Sequence, residues 1–345
     1  MSKSPIIAFF PGQGSQHVGM GKDLFDNFKL VRELFEEASD ATSLHLKKLC
    51  FDGPESELQL TENTQPALLV VSVAAFRVAE AELGFAPAAV AGHSLGEYSA
   101  LVAAGAFPLA SAARWVRERG QAMQAAVPPG QGGMAAIMGM EDERVDALCT
   151  AAIASANAKR SGGTGKVGET DVTVDCVLSP ANYNAPGQTV IAGAADAVAE
   201  AVALIKAGGD FAGAKAIPLA VSAPFHCALM APARMRMAEI FAGAKPNEKP
   251  DTLRFPYVPN RTARLTQEPT VVFELLVDQV DHTVQWRQSV AMLIGKGYTQ
   301  ACEFGPGKVL QGLAKRIAGG IPDAKFSSIG VSDSASLAGL KTLLA

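Results

Sequence analysis

The chain has 345 residues, 48% of them hydrophobic, enough for a sizeable core in one large α/β domain with an inserted unit, or in two domains. Thirty basic side chains against 34 acidic ones leave a formal charge of −4, so there is no electrostatic footprint for nucleic acid or an anionic membrane, and small-molecule or protein partners are expected. Cys50, Cys149, Cys176, Cys227 and Cys302 are odd in number and scattered without a C-x-x-C pair, which suits reduced thiols in a cytoplasmic protein better than disulfides or a zinc site.

Read in order, Ile6-Ile7-Ala8-Phe9-Phe10 forms a buried strand that empties into Pro11-Gly12-Gln13-Gly14-Ser15-Gln16. The apolar run halts at Pro11, too short for a signal peptide, and no later stretch is long enough for a membrane helix. The glycines let this loop's backbone approach a ligand closely. It is not a dinucleotide fingerprint, because His17 stands where the third glycine would fall, so an active-site loop is the better reading. Residues 24–41 read as one amphipathic helix with Leu30, Leu34 and Ala38 on a face. Thr61-Glu62-Asn63-Thr64-Gln65-Pro66 reads as a helix start, with Thr64 capping and Pro66 in the first turn, leading into an apolar helix over 67–83.

The chain then reaches Val90-Ala91-Gly92-His93-Ser94-Leu95-Gly96-Glu97-Tyr98, where a serine stands between two glycines at the spacing G-x-S-x-G. A short apolar strand precedes it and a helix over 97–104, ended by Gly105, follows; this is the setting of a nucleophile elbow. A strand reversing sharply into a helix leaves no room for side chains two residues either side of the serine, and Gly92 and Gly96 remove them. Ser94 is pushed out at a helix N-terminus, and the N–H of Leu95 is free to stabilise a developing oxyanion.

After Pro108 a helix extends to about residue 127, with Val116, Gly120, Met123 and Val127 as its buried stripe. Arg117 and Arg119 flank that stripe at about 80° on either side, so periodicity does not choose between them, while Arg114 points away. Pro128-Pro129-Gly130-Gln131-Gly132-Gly133 is the clearest composition break. Beyond it, strands over 134–138, 172–178, 189–192 and 214–219 and helices over 141–152 and 195–207 spell βαββαβ, the ferredoxin-like pattern. The polar, glycine-rich, aperiodic residues 155–171 read as a surface loop. His226, between Phe225 and Cys227, leaves a strand; standing alone it reads as an ordinary buried imidazole before it reads as a base. The C-terminal third runs strand 255–258, helices 271–279 and 286–295, strand 300–304, and Gly305-Pro306-Gly307-Lys308 opening a further helix.

Six motifs carry a resemblance over nearly the whole chain. Pro11-Gly12-Gln13-Gly14-Ser15-Gln16, Gly92-His93-Ser94-Leu95-Gly96-Glu97, Glu118-Arg119-Gly120-Gln121-Ala122-Met123-Gln124, Asn182-Tyr183-Asn184-Ala185-Pro186-Gly187-Gln188, Phe225-His226-Cys227-Ala228-Leu229-Met230 and Gly305-Pro306-Gly307-Lys308-Val309-Leu310 occur in the order found in malonyl-CoA:acyl-carrier-protein transacylases, which the chain resembles. The resemblance implies an α/β fold in which an α/β-hydrolase-like subdomain, residues 1–130 and 220–345, is interrupted by a ferredoxin-like one, residues 131–219, with the active site between them. Ser94 then matches the family nucleophile and His226 its general base. Gln13 and Leu95 match the backbone N–H donors of the oxyanion hole. Arg119, not Arg117, stands in the arginine motif and would pair with the free carboxylate of a malonyl group, a role suited to a permanently charged, two-pronged donor.

The resemblance further implies that the histidine is oriented by a main-chain carbonyl, matched here by Gln279, and gives His93, Asn182 and Asn184 supporting positions near the site. In related polyketide-synthase domains a phenylalanine before this histidine goes with malonyl and a serine with methylmalonyl, which makes Phe225 a candidate size limit. The implied reaction is two-step acyl transfer from malonyl-CoA to the thiol of an acyl carrier protein, with no metal, no bound cofactor, no nucleic acid and no membrane, in the cytoplasm and supplying fatty-acid synthesis. A serine thioesterase or hydrolase of the same layout is the alternative, and a non-catalytic carrier-docking module with a vestigial elbow is the rival from another class.

Overall fold

The computed structural model describes residues 5–162, 176–221 and 223–344. The chain opens with β1 (Ile6–Phe10), α1 (Lys22–Asn27), α2 (Lys29–Thr42), α3 (Leu46–Phe51), α4 (Glu55–Leu58) and the long α5 (Thr61–Leu83). It continues through β2 (Ala89–Gly92), α6 (Leu95–Ala103), α7 (Leu109–Ala125), β3 (Gly132–Met138), α8 (Asp142–Gly162), β4 (Leu178–Ala185), β5 (Gln188–Ala194), α9 (Ala195–Ala207) and β6 (Lys215–Pro218). The rest is α10 (Ala231–Ala242), β7 (Tyr257–Val258), α11 (Val272–Asp278), α12 (Trp286–Gly295), β8 (Gln300–Phe304), α13 (Val309–Gly319), β9 (Ser327–Val331) and α14 (Ser334–Leu344).

Five strands pair in parallel in the order β7-β2-β1-β8-β9, and four pair antiparallel in the order β4-β5-β3-β6. β1 is apolar at every position because both its faces are covered. Ile6, Ala8 and Phe10 join a core with α5 and α6, while Ile7 and Phe9 join a second core with Trp286, Val290 and Leu293 of α12 and Leu310, Leu313 and Ile317 of α13. The antiparallel sheet is likewise covered twice: Ala135, Ile137 and Ile191 face α8 and α9, and Met134, Val190 and Ala192 face the first core. β4 also reaches the larger body, since Tyr183 N–H donates to Val284 O at 3.0 Å and Val284 N–H to Ala181 O at 2.9 Å. Arg287 reinforces that seam with an ion pair to Asp142 and a guanidinium 5.5 Å from the Tyr183 ring centre. The carboxyl ends of β1 and β2 carry residues 11–16 and the Ser94 turn, the usual place for a ligand site in an open parallel sheet. Among the described residues no helix is long and apolar enough to cross a membrane.

Four stretches fold differently from their sequence reading. The helix over 24–41 is broken at Phe28, whose backbone is extended (φ −122, ψ 123), into α1 and α2. Phe25 and Phe35 would stand about 15 Å apart along one continuous helix; the break brings their rings edge to face with centroids 5.5 Å apart. The buried stripe accordingly becomes Val31, Phe35, Ala38 and Thr42, leaving Leu30 and Leu34 half-buried. α5 begins at Thr61, not after Pro66, and Thr64 donates its hydroxyl to Leu58 O (2.5 Å) and Leu60 O (3.1 Å) instead of capping. Pro66 forfeits a single N–H bond, and burial along the helix outweighs that loss.

α8 runs ten residues past residue 152, so the loop expected over 155–171 is helical as far as Gly162, and residues 163–171 lie outside the described residues. Partners on α9 hold this polar turn: Ser155 donates to Glu200 Oε2 at 2.7 Å, Lys159 pairs with Glu200, and Arg160 donates to both oxygens of Asp196 at 2.6 and 2.8 Å. The strand expected over 172–178 instead begins at Leu178, and residues 172–175 lie outside the described residues. Two register shifts along β4, between Pro180 and Asn182 and between Tyr183 and Ala185, break the alternation that would have marked it.

α7 lies against the start of α5 at Gly120. A Cβ there would sit 2.6 Å from Glu62 Cα and 2.8 Å from Thr61 O, main-chain atoms that cannot rotate aside. Gly120→Ala gains about 1 kcal/mol of helix propensity and meets an overpacking cost of about 1–3 kcal/mol. The expected result in urea or thermal unfolding is a net loss of stability. A variant as stable as wild type would show that α7 moves off α5 freely.

Candidate active site

Ser94 occupies the turn from β2 to α6 with φ 52 and ψ −107, a left-handed conformation that a side chain adopts only under constraint, at about 1–3 kcal/mol. The constraint is main-chain contact. A Cβ on Gly92 would collide with the Gly96 carbonyl, and one on Gly96 with the Phe10 carbonyl at the end of β1. Hydrogen bonds then fix the strained turn from outside: Ser94 N–H donates to Asn260 Oδ1 at 2.6 Å, and Asn260 Nδ2 donates to Gly92 O at 2.6 Å.

His226 also has a positive φ, 58, which turns the imidazole from the segment after β6 toward the elbow. Its Nε2 lies 2.8 Å from Ser94 Oγ, and its Nδ1 lies 2.8 Å from the main-chain oxygen of Gln279. A carbonyl accepts only, so Nδ1 carries the proton and Nε2 is left to accept from the serine hydroxyl. Burial, and after it the positive charge of Arg119, pulls the His226 pKa down to about 3, which keeps the ring neutral at physiological pH.

Arg119 comes from α7 and is 1% exposed. Its Nη1 donates to Gln65 Oε1 on α5 at 2.8 Å, its Nη2 to Gln279 Oε1 at 2.7 Å and to Ser94 Oγ at 3.2 Å, and its guanidinium stands 5.6 Å from the centre of the Tyr98 ring. Among the described residues it forms no ion pair with a carboxylate. The acid Glu97 acts on it at a distance, with Oε2 accepting from Gln279 Nε2 (2.8 Å) and from Asn260 N–H (3.0 Å). Arg117, the alternative that periodicity left open, turns to the other side of α7 and donates to Thr42 O, while Arg114 pairs with Glu248.

The remaining sequence candidates sit around this group. Leu95 is the first residue of α6, so its N–H has no partner within the helix and lies next to Ser94. Gln13 is in the loop after β1, which packs on the elbow: a Cβ on Gly12 would strike His93 O, and the Gln13 side chain donates to Thr61 Oγ1 at 3.4 Å. His93 meets β4 and α12, its Nε2 2.8 Å from Asn184 Oδ1 and its ring centroid 5.7 Å from that of Trp286. Asn182 is buried on β4 where that strand meets Val284. Phe225 is buried in the first core beside His226. Sequence reading missed Gln65, Glu97 and Asn260; buried polar residues bordering Pro66, the elbow and β7 were the only signal for them. Among the described residues no group of three or more His, Cys, Asp or Glu side chains is placed to hold a metal ion. The arrangement as a whole suits a serine nucleophile beside a neutral base and an anion-binding guanidinium.

Comparison with known proteins places this geometry among close relatives. The acyl transferase domain family matches residues 9–318. The malonyl CoA-acyl carrier protein transacylase of Escherichia coli (strain K12) is 44% identical over 308 residues, covering 89% of this chain and 91% of that protein. The protein of the same name from Bacillus subtilis (strain 168) is 40% identical over 330 residues, covering 96% and 94%. Among solved structures, the acyl-carrier-protein S-malonyltransferase of Burkholderia pseudomallei 1710b superposes with a TM-score of 0.84 at 41% identity, covering 98% of this chain and 99% of that one. A malonyl-transacylase in complex with its type II PKS acyl-carrier protein gives 0.85 at 41% identity, with 98% and 99% covered.

The His226 pKa offers a direct check on the electrostatics. Removing the guanidinium relieves the imidazolium of a neighbouring positive charge, so Arg119→Met should move the His226 titration upward from about 3 toward the ordinary histidine value. NMR titration of the ring nitrogens measures this in both proteins. An unmoved or lowered pKa would show that burial alone sets it.

Proposed function

The chain belongs to the acyl transferase domain family, and from that membership we infer that it carries the malonyl group of malonyl-CoA to the phosphopantetheine thiol of an acyl carrier protein. His226 Nε2 takes the Ser94 proton as Oγ attacks the thioester carbonyl, and the N–H groups of Gln13 and Leu95 hold the oxyanion. The tetrahedral adduct collapses to a malonyl-serine ester, and the leaving sulfur of CoA receives the proton from His226. The carrier thiol then gives its proton to His226, attacks the ester and leaves with the malonyl group, restoring the Ser94 hydroxyl. Gln279 orients the base through its main-chain oxygen, and His93 in the elbow, with Asn182 and Asn184 on β4, supports the site.

One observation carries this reading. A buried guanidinium stands 3.2 Å from the nucleophilic oxygen with two neutral amides as its other hydrogen-bond partners, Gln65 and Gln279. Such a cation awaits an anion delivered with the substrate, which the free carboxylate of a malonyl group supplies. The relatives are named for transfer and not for hydrolysis, which weighs against the thioesterase alternative. Residues 131–219 form a ferredoxin-like subdomain in this reading, supported by the βαββαβ order and the strand order β4-β5-β3-β6; residues 1–130 and 220–345 form the α/β-hydrolase-like one. A cytoplasmic setting agrees with five free cysteines.

Intact-mass measurement after mixing with malonyl-CoA should find a malonyl adduct that Ser94→Ala abolishes. Arg119→Ala should lower malonyl kcat/KM by at least about thirtyfold, since truncating one side of a buried charge pair costs about 2–5 kcal/mol, while acetyl transfer falls less. Arg117→Ala should be mild. Swapped phenotypes, or undiminished labelling of Ser94→Ala, would sink the mechanism.

Phe225 sets the size limit at the acyl α-carbon in this reading, because a substrate held at its carboxylate and its carbonyl has little freedom to move an added methyl away from a neighbouring ring. A single carbon in an apolar pocket is worth about 1–3 kcal/mol, or about 10–200-fold. Phe225→Ser should therefore reduce the malonyl to methylmalonyl ratio of kcat/KM. An unchanged ratio in a folded variant means that the ring packs the core and does not read the substrate.

A further inference from the structure

Glu97 takes no part in the chemistry above, yet it is a buried acid, 1% exposed, one residue beyond Gly96 of the elbow. Its Oε2 accepts two N–H bonds, from Gln279 Nε2 at 2.8 Å and from Asn260 N at 3.0 Å. Its Oε1 is buried and has no hydrogen-bond partner among the described residues. Gln279 meanwhile serves three parts of the site: its main-chain oxygen meets His226 Nδ1, its Oε1 meets Arg119 Nη2, and its Nε2 donates to Ser94 O at 2.9 Å and to Glu97.

An amide has two ends of nearly equal size and opposite hydrogen-bonding sense. Only Oε1 can accept from a guanidinium; the NH₂ end would face it donor to donor. What decides the orientation is the far side of the amide. We propose that Glu97 is a positioning residue for Arg119: by accepting from Gln279 Nε2 it fixes which end of that amide faces the guanidinium, and thereby holds Arg119 aimed at the acyl carboxylate. A reversed amide would set its oxygen against Glu97 Oε2 and Ser94 O, acceptor against acceptor, and would turn its NH₂ on Arg119.

The device does not depend on the charge of Glu97. Burial pushes its pKa up to about 7, against the lowering pull of Gln279, Asn260 and Arg119, so protonated and ionised forms are both present near neutrality. A proton on the unpartnered Oε1 leaves Oε2 free to accept as before. Glutamine, whose single oxygen can take the place of Oε2, is therefore a fitting replacement, and an apolar side chain is not.

The consequence falls on one substrate more than the other. A malonyl group needs Arg119 aimed at its carboxylate, and an acetyl group has no carboxylate to meet. This inference rests on the proposed function, and wild type serves as its control. Malonyl-CoA and acetyl-CoA kinetics are measured on the full chain for wild type, Glu97→Gln, Glu97→Leu and Gln279→Met. Glu97→Leu should lower the malonyl to acetyl ratio of kcat/KM by about tenfold, chiefly through KM for malonyl-CoA, whereas Glu97→Gln should keep the ratio within about threefold of wild type. Gln279→Met retains the carbonyl that faces His226 and loses the amide, so it should lower the ratio as well, and it decides the matter if Glu97→Leu does not fold. An unchanged ratio in a folded Glu97→Leu or Gln279→Met variant, or a parallel loss with both substrates, overturns the inference alone. A wild type that transfers no malonyl group overturns the proposed function and this inference with it.

Discussion

A guanidinium buried to 1% exposure and, among the described residues, paired with no carboxylate is the constraint around which this molecule is arranged. Taking such a charge out of water costs several kcal/mol unless its donors are satisfied; here the two Nη groups are met from three directions, while the buried Nε has no hydrogen-bond partner among the described residues. α5 supplies Gln65, the segment after α11 supplies Gln279, and the elbow supplies Ser94 Oγ, with the face of Tyr98 alongside. Each requires a backbone in a set place. Gly120, the residue after Arg119, permits that place by letting α7 lie directly on the first turn of α5. Two core helices and the active site thus share one packing contact, and a shift of α7 would move the guanidinium relative to both glutamines.

The same charge acts on His226, the base of the proposed mechanism. Arg119 and burial act in one direction on His226, both disfavouring the imidazolium. That keeps Nε2 available to accept a proton in the resting site, and it makes the protonated ring less comfortable during the reaction. In the proposed mechanism an incoming carboxylate on Arg119 would offset the guanidinium's field at the ring, so that the substrate would ease protonation of His226. The Gln279 carbonyl contributes on the other side, because an acceptor at 2.8 Å from Nδ1 fixes the tautomer in place of an aspartate. Strain enters here as well. Ser94 and His226 are two of the five described non-glycine residues with positive φ, and they face each other across a 2.8 Å hydrogen bond.

Much of this was readable in the sequence where one local rule decides the outcome. The all-apolar β1, the glycines flanking Ser94, and helices α9 and α12 have boundaries that follow from periodicity and turn chemistry. Where two local signals compete, tertiary contacts decided. Residues 24–41 carry one helical period, yet the pairing of Phe25 with Phe35 requires a break at Phe28. Residues 155–162 lack an apolar period, yet Glu200 and Asp196 on α9 hold them helical. Arg117 and Arg119 are equivalent on a helical wheel; the resemblance chose Arg119 by its motif, and the physical distinction is the position of Gln65 and Gln279, 54 and 160 residues away in sequence. Gln65, Glu97 and Asn260 were illegible for a related reason: each is a polar residue whose partners, Arg119, Gln279 and Ser94, are distant in the chain. The resemblance to a family located Gln279, but only the three-dimensional arrangement shows its side chain bridging Glu97 and Arg119.

Why the two partners of Arg119 are amides follows from the same electrostatics. A carboxylate at the Gln65 or Gln279 position would satisfy the guanidinium outright, and an acyl carboxylate would then have to displace it or share it at close range, with like charges in a site of low dielectric. Amide oxygens hold the guanidinium in place without neutralising it. An acid is nonetheless present, set back behind the amide of Gln279, where it touches Arg119 only through that side chain. There its ionised form softens the cost of burying the cation, and in either form its hydrogen bonds orient the amide. The intervening Gln279 keeps the acid out of the space where a substrate carboxylate must sit. A guanidinium fixed by neutral groups and backed by one shielded acid is therefore rigid enough to aim and still free to bind, the combination that choosing a malonyl over an acetyl group requires.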